Sequence, residues 1–176
     1  YVGGDGDDIV LMALLDYGDA PTPYATPIND NGARHAATGP ILGSARDSEP
    51  NGLPSTDADG DNLSGINDED GVTFGVIRAG QPNSVLDVSL SNAANAFLDA
   101  WIDFDRNGVW ESSEKILDRV AITNPSQSFS YSLPTGLQPG STIARVRVST
   151  PGGLEPTGFA PDGEVEDYSV DVAVAD

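Results

Sequence analysis

The sequence contains no cysteine, a single histidine, a single methionine and only 8 lysines and arginines among its 176 residues. Lack of cysteine excludes disulfides and thiolate metal ligands, and leaves the redox compartment open. His35 alone cannot build an imidazole zinc site, and no G-x-S-x-G elbow accompanies it. It is read as a loop hydrogen-bonding group, and no catalytic role is expected. No apolar run approaches the roughly 20 residues that span a bilayer. The first residues, YVGGDGDD, show neither a basic segment nor a signal core. A piece of a longer precursor is the expectation. The few basic residues face 28 acidic ones, giving a net charge of −20. That charge repels phosphate backbones and anionic lipid, so neither nucleic acid nor membrane insertion is expected.

What is present is 38% hydrophobic residues in alternating stretches, enough for one folded domain. Residues 1–15 are set apart. Gly3–Leu11 fits one copy of a glycine-rich calcium-binding nonapeptide, and the greasy run IVLMALL follows. These residues read as the end of a preceding repeat region or as an exchangeable N-terminal strand. From Asp16 to Gly71 there is little periodicity and much proline, so this half needs to be clamped. Beyond Gly71, short strands are expected in VTFGVI, VLDVSL, FLDAWIDF, KILDRVAI, SFSYSL, IARVRVS and EVEDYSVDVAV. The fold class that follows is all-β, an antiparallel β-sandwich with long calcium-clamped loops, over residues 16–176.

The stretch DFDRNGVWESSE, Asp103–Glu114, has the oxygen spacing of an EF-type calcium loop. Asp103, Asp105 and Asn107 take positions one, three and five, and Gly108 stands at the sharp turn. The Val109 carbonyl takes position seven, Glu111 position nine through water, and Glu114 the bidentate twelfth. A hairpin turn alone explains D-x-N-G, but not the second aspartate or the distant glutamate. Leu98, Ala100 and Ile102 alternate with Asp99, Trp101 and Asp103, so strands rather than helices are expected to flank the loop. A second cluster, Asp57–Gly71, repeats the spacing with Asp57, Asp59, Asp61, the Leu63 carbonyl and Asp68, and Asp70 lies close by. An ion there would substitute for a missing core. At extracellular calcium about tenfold above Kd, each such site contributes roughly 1.4 kcal/mol.

A third acidic group is GEVEDY, Gly163–Tyr168. With DYGDAP (Asp16–Pro21), ARH (Ala33–His35), the DEDGV box (Asp68–Val72) and AWIDFDRNGVW (Ala100–Trp110), it makes the sequence resemble the GEVED domain of large secreted and surface proteins of bacteria. The resemblance implies a β-sandwich module strung between other domains, with no reaction of its own. Glu164 and Glu166 share a strand face with Tyr168, opposite Asp167. Two readings stand side by side: Glu164 and Glu166 bind calcium beside Asp68 and Asp70, or they pair with Arg145 and Arg147 as a cross-strand ladder.

The resulting expectation is a non-catalytic, calcium-stabilised structural or adhesion module, extracellular or on a bacterial cell surface. Its partners would be neighbouring domains or copies of itself. One alternative is a filament subunit that donates its N-terminal strand, with calcium at the joints. The other is a carbohydrate-binding module using Trp101 and Trp110 as a platform for glycan.

Overall fold

A computed structural model describes residues 14–60, 66–122 and 125–175. The Gly3–Leu11 nonapeptide and most of IVLMALL lie outside the described residues. The fold is all-β, and among the described residues there is no α-helix, only 3-10 turns such as Ile28–Asp30 and Ser112–Glu114. No described helix is long and apolar enough to cross a membrane.

The strands are β1 (Leu15–Tyr17), β2 (Arg34–Ala36), β3 (Ile41–Leu42), β4 (Val72–Phe74), β5 (Ile77–Arg78), β6 (Asn83–Ser91), β7 (Ala96–Ile102), β8 (Lys115–Ile122), β9 (Ser126–Ser132), β10 (Gly140–Ser149), β11 (Phe159–Ala160) and β12 (Glu164–Ala173). One sheet has the order β5-β12-β10-β7-β8, with only the β5–β12 pair parallel. In the facing sheet β6 is central, paired to β9 along one edge and to β3 and β4 along the other. Alternation places Leu86, Val88 and Leu90 of β6 against Leu98, Ala100 and Ile102 of β7 and Ala144, Val146 and Val148 of β10. VTFGVI, expected as one strand, is divided between the sheets: β4 pairs β6, and β5 pairs β12.

The irregular first half is not without elements, as its composition suggested. β1 and β2 pair antiparallel, β11 adds to β2 in parallel, and β3 joins the second sheet. This half covers the outer face of the five-stranded sheet, so β10 is buried on both sides from Thr142 onward. Trp101 and Trp110 are 1% and 5% exposed and form a second small core with Ala20, Tyr24 and Ile143. They present no aromatic platform to a glycan.

Burying both faces of β10 buries Arg145 and Arg147 as well. A buried guanidinium must be paired and hydrogen-bonded to be tolerated. Arg145 makes a two-pronged pair with Asp167, Nε to Oδ1 at 2.7 Å and Nη2 to Oδ2 at 2.6 Å. Its Nη1 donates to the carbonyls of Ala25 and Pro156, and its plane lies 4.4 Å from the Trp110 ring centre. Asp167 Oδ2 also accepts from the backbone N–H groups of Asp19 and Ala20. Arg147 donates to His35 Nε2 at 2.9 Å and to carbonyls of Glu155, Thr157 and Gly158. The ladder joining these arginines to Glu164 and Glu166 is therefore not formed. Register puts Arg145 beside Asp167 on the outer face, whereas Glu164 and Glu166 stand beside Val148 and Val146 on the inner one.

His35 is fully buried, and burial with the neighbouring Arg147 charge holds it well below its ordinary pKa of 6.5. It is neutral, with Nδ1–H donating to the Asp162 carbonyl at 2.7 Å and Nε2 accepting from Arg147.

Two outcomes follow from this layer. Asp167→Ala leaves Arg145 buried without its counter-charge and is expected to cost about 3–5 kcal/mol, read by urea denaturation. His35 contributes stability that is complete above about pH 6.5 and declines as pH falls below it, because only the unfolded chain takes up the proton there. NMR of this single histidine is expected to show the neutral Nδ1–H tautomer from pH 8 down to pH 5.

Candidate metal centres

The Asp103–Glu114 loop runs from the end of β7 through the Ser112–Glu114 turn into β8, so strands flank it. Positive φ at Arg106 and Gly108, 61° and 83°, folds the chain back on itself. Asp103 is buried and accepts from the N–H groups of Asn107 at 3.2 Å and Gly108 at 2.8 Å. The Tyr24 hydroxyl, reaching across from the irregular half, donates to Asp103 Oδ2 at 2.6 Å. Glu114, also buried, takes the N–H groups of Phe104 and Asp105 on Oε1 and that of Glu111 on Oε2.

One oxygen each from Asp103, Asp105 and Glu114 lies within 4.8 Å of the others. Ligands on a common calcium ion, each 2.3–2.6 Å away, are at most about 5 Å apart, so these three fit a single ion. Burial, followed by the hydrogen bond to Glu111, pushes Glu114 up to about 7. Asn107 directs its NH2 to Asp105 Oδ2 and Glu111 Oε1, and its Oδ1 accepts from the Val109 N–H. Turning the amide over exchanges donor for acceptor without changing its shape. Glu111 is exposed, as is the Val109 side chain.

A second group was not visible as a local motif. Asp16 on β1, Asp68 before β4 and Glu164 at the start of β12 are all buried, and an oxygen from each lies within 4.8 Å of the others. Each carboxylate is held by a backbone N–H from another segment. Val165 donates to Asp16 Oδ2 at 2.8 Å, Asp47 to Asp68 Oδ2 at 3.1 Å, and Leu42 to Glu164 Oε2. Burial first, then the charges of Asp16 and Glu166, raises Glu164 to about 11; burial with the neighbouring Asp47 raises Asp68 to about 6; and burial with Asp68 nearby raises Asp16 as well.

Other candidates from the sequence are engaged differently. Glu166 accepts from the N–H groups of Asp70 and Gly71 on Oε1 and from the Tyr168 hydroxyl on Oε2, and it joins no convergent group of three acidic residues among the described residues. Asp70 is exposed and holds the Ser44 N–H and hydroxyl. Asp57 and Asp59 join no group of three acidic residues among the described residues, and Asp59 is bonded to the Ser55 hydroxyl. Asp61 and Leu63 lie outside the described residues. Asp68, expected to close that loop, instead faces Asp16 and Glu164.

The box Gly163–Tyr168 can now be read residue by residue. Gly163 has φ of 96°, and a Cβ there would stand 1.8 Å from the Val148 carbonyl oxygen. Glu164 enters the buried acidic group, Glu166 ties down the Asp70–Gly71 turn, Asp167 pairs with Arg145, and Tyr168 bridges Glu166 and the Val72 N–H. Residues 97–171 match the GEVED domain. The match runs from β7 to β12 and contains the Asp103–Glu114 loop, while DYGDAP, ARH and DEDGV precede it. No curated protein and no solved structure matches the chain. Within the GEVED segment lie Arg145, Arg147, Glu164, Glu166 and Asp167, the groups on which the preceding half is docked.

Sequence reasoning missed Asp16 as a partner of Asp68 and Glu164. Its place in DYGDAP was the available signal, but nothing local links three residues so far apart.

Gly108→Ala puts a Cβ 2.4 Å from Pro23 Cγ at a positive-φ position. It is expected to cost about 1–3 kcal/mol by overpacking and to loosen the loop, measured as a lower urea midpoint with faster amide exchange at Asn107 and Gly108.

Proposed function

We propose that this chain is a non-catalytic structural module of a larger extracellular or surface protein, kept in shape by calcium. The observation that carries the reading is the convergence of Asp103, Asp105 and Glu114 at the spacing that calcium requires, in a loop whose flanking strands belong to the sandwich. Asp103, Asp105 and Glu114 would hold the ion, with Asn107, the Val109 carbonyl and Glu111 completing an oxygen shell. When bound, calcium supplies a fixed double positive charge that balances these carboxylates. The residues themselves already orient the loop: Glu114 gathers three backbone N–H groups, and Tyr24 links Asp103 to the irregular half.

A structural rather than a catalytic role fits the rest of the molecule. The single histidine is buried in hydrogen bonds, and both tryptophans serve the core. A net charge of −20 is eased by divalent cations at millimolar concentration, as found outside cells. Loop sites with Kd on the order of 10⁻⁴–10⁻³ M are then permanently filled, and such ions stiffen a module without signalling. Its partners are the domains on either side of it in the parent chain.

Calorimetry with and without EDTA tests the reading. Wild-type protein is expected to gain about 1.4 kcal/mol from this loop when calcium is tenfold above Kd. Asp103→Asn combined with Glu114→Gln should abolish that share of the calcium effect. A double variant that melts like wild type in both buffers overturns the assignment.

A further inference from the structure

The buried group around Asp16, Asp68 and Glu164 differs from the loop in one decisive respect. In the loop, both Asp103 oxygens and both Glu114 oxygens already receive hydrogen bonds. In the buried group Asp68 Oδ1 and Glu164 Oε1 are sealed from solvent and have no hydrogen-bond partner, on residues that are 4% and 0% exposed. Nearby, Asp47 Oδ1 and Glu49 Oε2 are orphaned in the same way. Asp47 lies within hydrogen-bonding reach of both Glu49 and Asp68. Asp47 and Glu49 therefore lie beside the convergent group of Asp16, Asp68 and Glu164.

Buried polar atoms in native proteins are almost always satisfied, and a carboxylate oxygen left without a donor costs the full penalty of its desolvation. A proton shared between Asp68 and Asp47 relieves part of this, yet one proton satisfies one contact, while Asp68 Oδ1, Glu164 Oε1, Asp47 Oδ1 and Glu49 Oε2 all lack a donor. The cationic side chain that chiefly offsets the Asp16 charge is Arg46, and its Nη1 is directed to the carbonyls of Thr38, Pro40 and Gly163. What satisfies several orphaned anionic oxygens at once is a hard divalent cation. An all-oxygen, carboxylate-rich set of irregular geometry suits calcium better than magnesium, which demands a near-ideal octahedron and keeps its waters.

We infer that Asp16, Asp68 and Glu164, supported by Asp47 and Glu49, form a second calcium site, buried at the seam between the irregular half and strand β12. It goes beyond the loop reading and does not depend on it. Its ligands come from segments separated by about 50 to 150 positions in sequence, so the ion fastens β1 and the Asp68 turn to the sandwich as a cross-link would. Because the group is covered, this ion exchanges only when the N-terminal layer lifts. The loop ion, beside the exposed Asp105, exchanges freely.

The deciding experiment uses the full 176-residue chain. Crystals grown with terbium, a calcium substitute, are examined by anomalous diffraction, and calcium stoichiometry is measured by calorimetric titration of protein first stripped by prolonged dialysis against EDTA. An anomalous peak between Asp16, Asp68 and Glu164, with Glu164→Gln binding one calcium fewer than wild type, is the expected result. Chelator mixing should then release calcium in a fast and a slow phase, with the slow phase missing in Glu164→Gln. Asp68→Asn serves as the second variant if Glu164→Gln does not fold, and the wild-type map decides if neither does. A peak in the Asp103–Glu114 loop alone overturns this inference and leaves the loop assignment standing. A peak in the buried group alone does the reverse.

Discussion

The pair between Arg145 and Asp167 is the constraint on which the rest of the molecule depends. A β-sandwich normally leaves the outer face of each sheet to water. Here the outer face of β10 and β12 carries an arginine and an aspartate that are wholly enclosed, and their remaining hydrogen-bonding capacity is taken up by backbone from elsewhere. Asp19 and Ala20 donate to Asp167, while Ala25 and Pro156 accept from Arg145. A segment with few strands of its own thus finds partners for its backbone on a sheet that offers charged, directional groups. Arg147 and His35 repeat the arrangement one pair of residues further along β10.

The same economy of contacts appears on the inner face, with the sign of the charge reversed. The arginines on the outside are satisfied by carbonyls and a carboxylate. On the inside, Glu166 accepts from the backbone N–H groups of Asp70 and Gly71, and Glu164 accepts from that of Leu42 on one oxygen while its other oxygen is left without a donor. Both faces of one strand pair therefore organise the irregular half, and the GEVED box is the row of residues that does so. The acidic side has more oxygen than donors to receive it, and this surplus distinguishes it from the arginine side, where the guanidinium groups find their partners.

The two acidic centres occupy mechanically different places. The Asp103–Glu114 loop closes on itself and touches the irregular half through Tyr24. The Asp16, Asp68 and Glu164 group exists only when three remote segments have come together. Calcium at the first would stiffen one connection between strands, whereas calcium at the second would oppose the detachment of an entire layer. Of the two, an ion at the second would constrain the chain more, because a cross-link between distant segments removes more freedom from the opened chain.

Much of the sandwich was legible in the sequence. Period-two alternation in VLDVSL, FLDAWIDF and EVEDYSVDVAV reports which side chains face the core, since a strand has no other way to place apolar groups on one side. The loop spacing from Asp103 to Glu114 was legible for the same local reason: twelve consecutive residues carry the whole pattern. IARVRVS was legible as a strand, but not which of its faces is covered, since only the layer above it buries Arg145 and Arg147. VTFGVI looked continuous, and its division between two sheets depends on where β6 and β12 lie. Asp57–Gly71 shows the limit most clearly. Its spacing is that of a calcium loop, and Asp68, at the twelfth position, stands beside Asp16 and Glu164. By itself the sequence determined the fold class, the long strands beyond Gly71 and the spacing of one local loop, all set by residues near one another along the chain. The tertiary structure alone decided which arginines are buried, which glutamate is bonded and which is orphaned, and that Asp16 belongs with Glu164. Those outcomes depend on register and on which layer covers which face, and no short stretch of sequence encodes either.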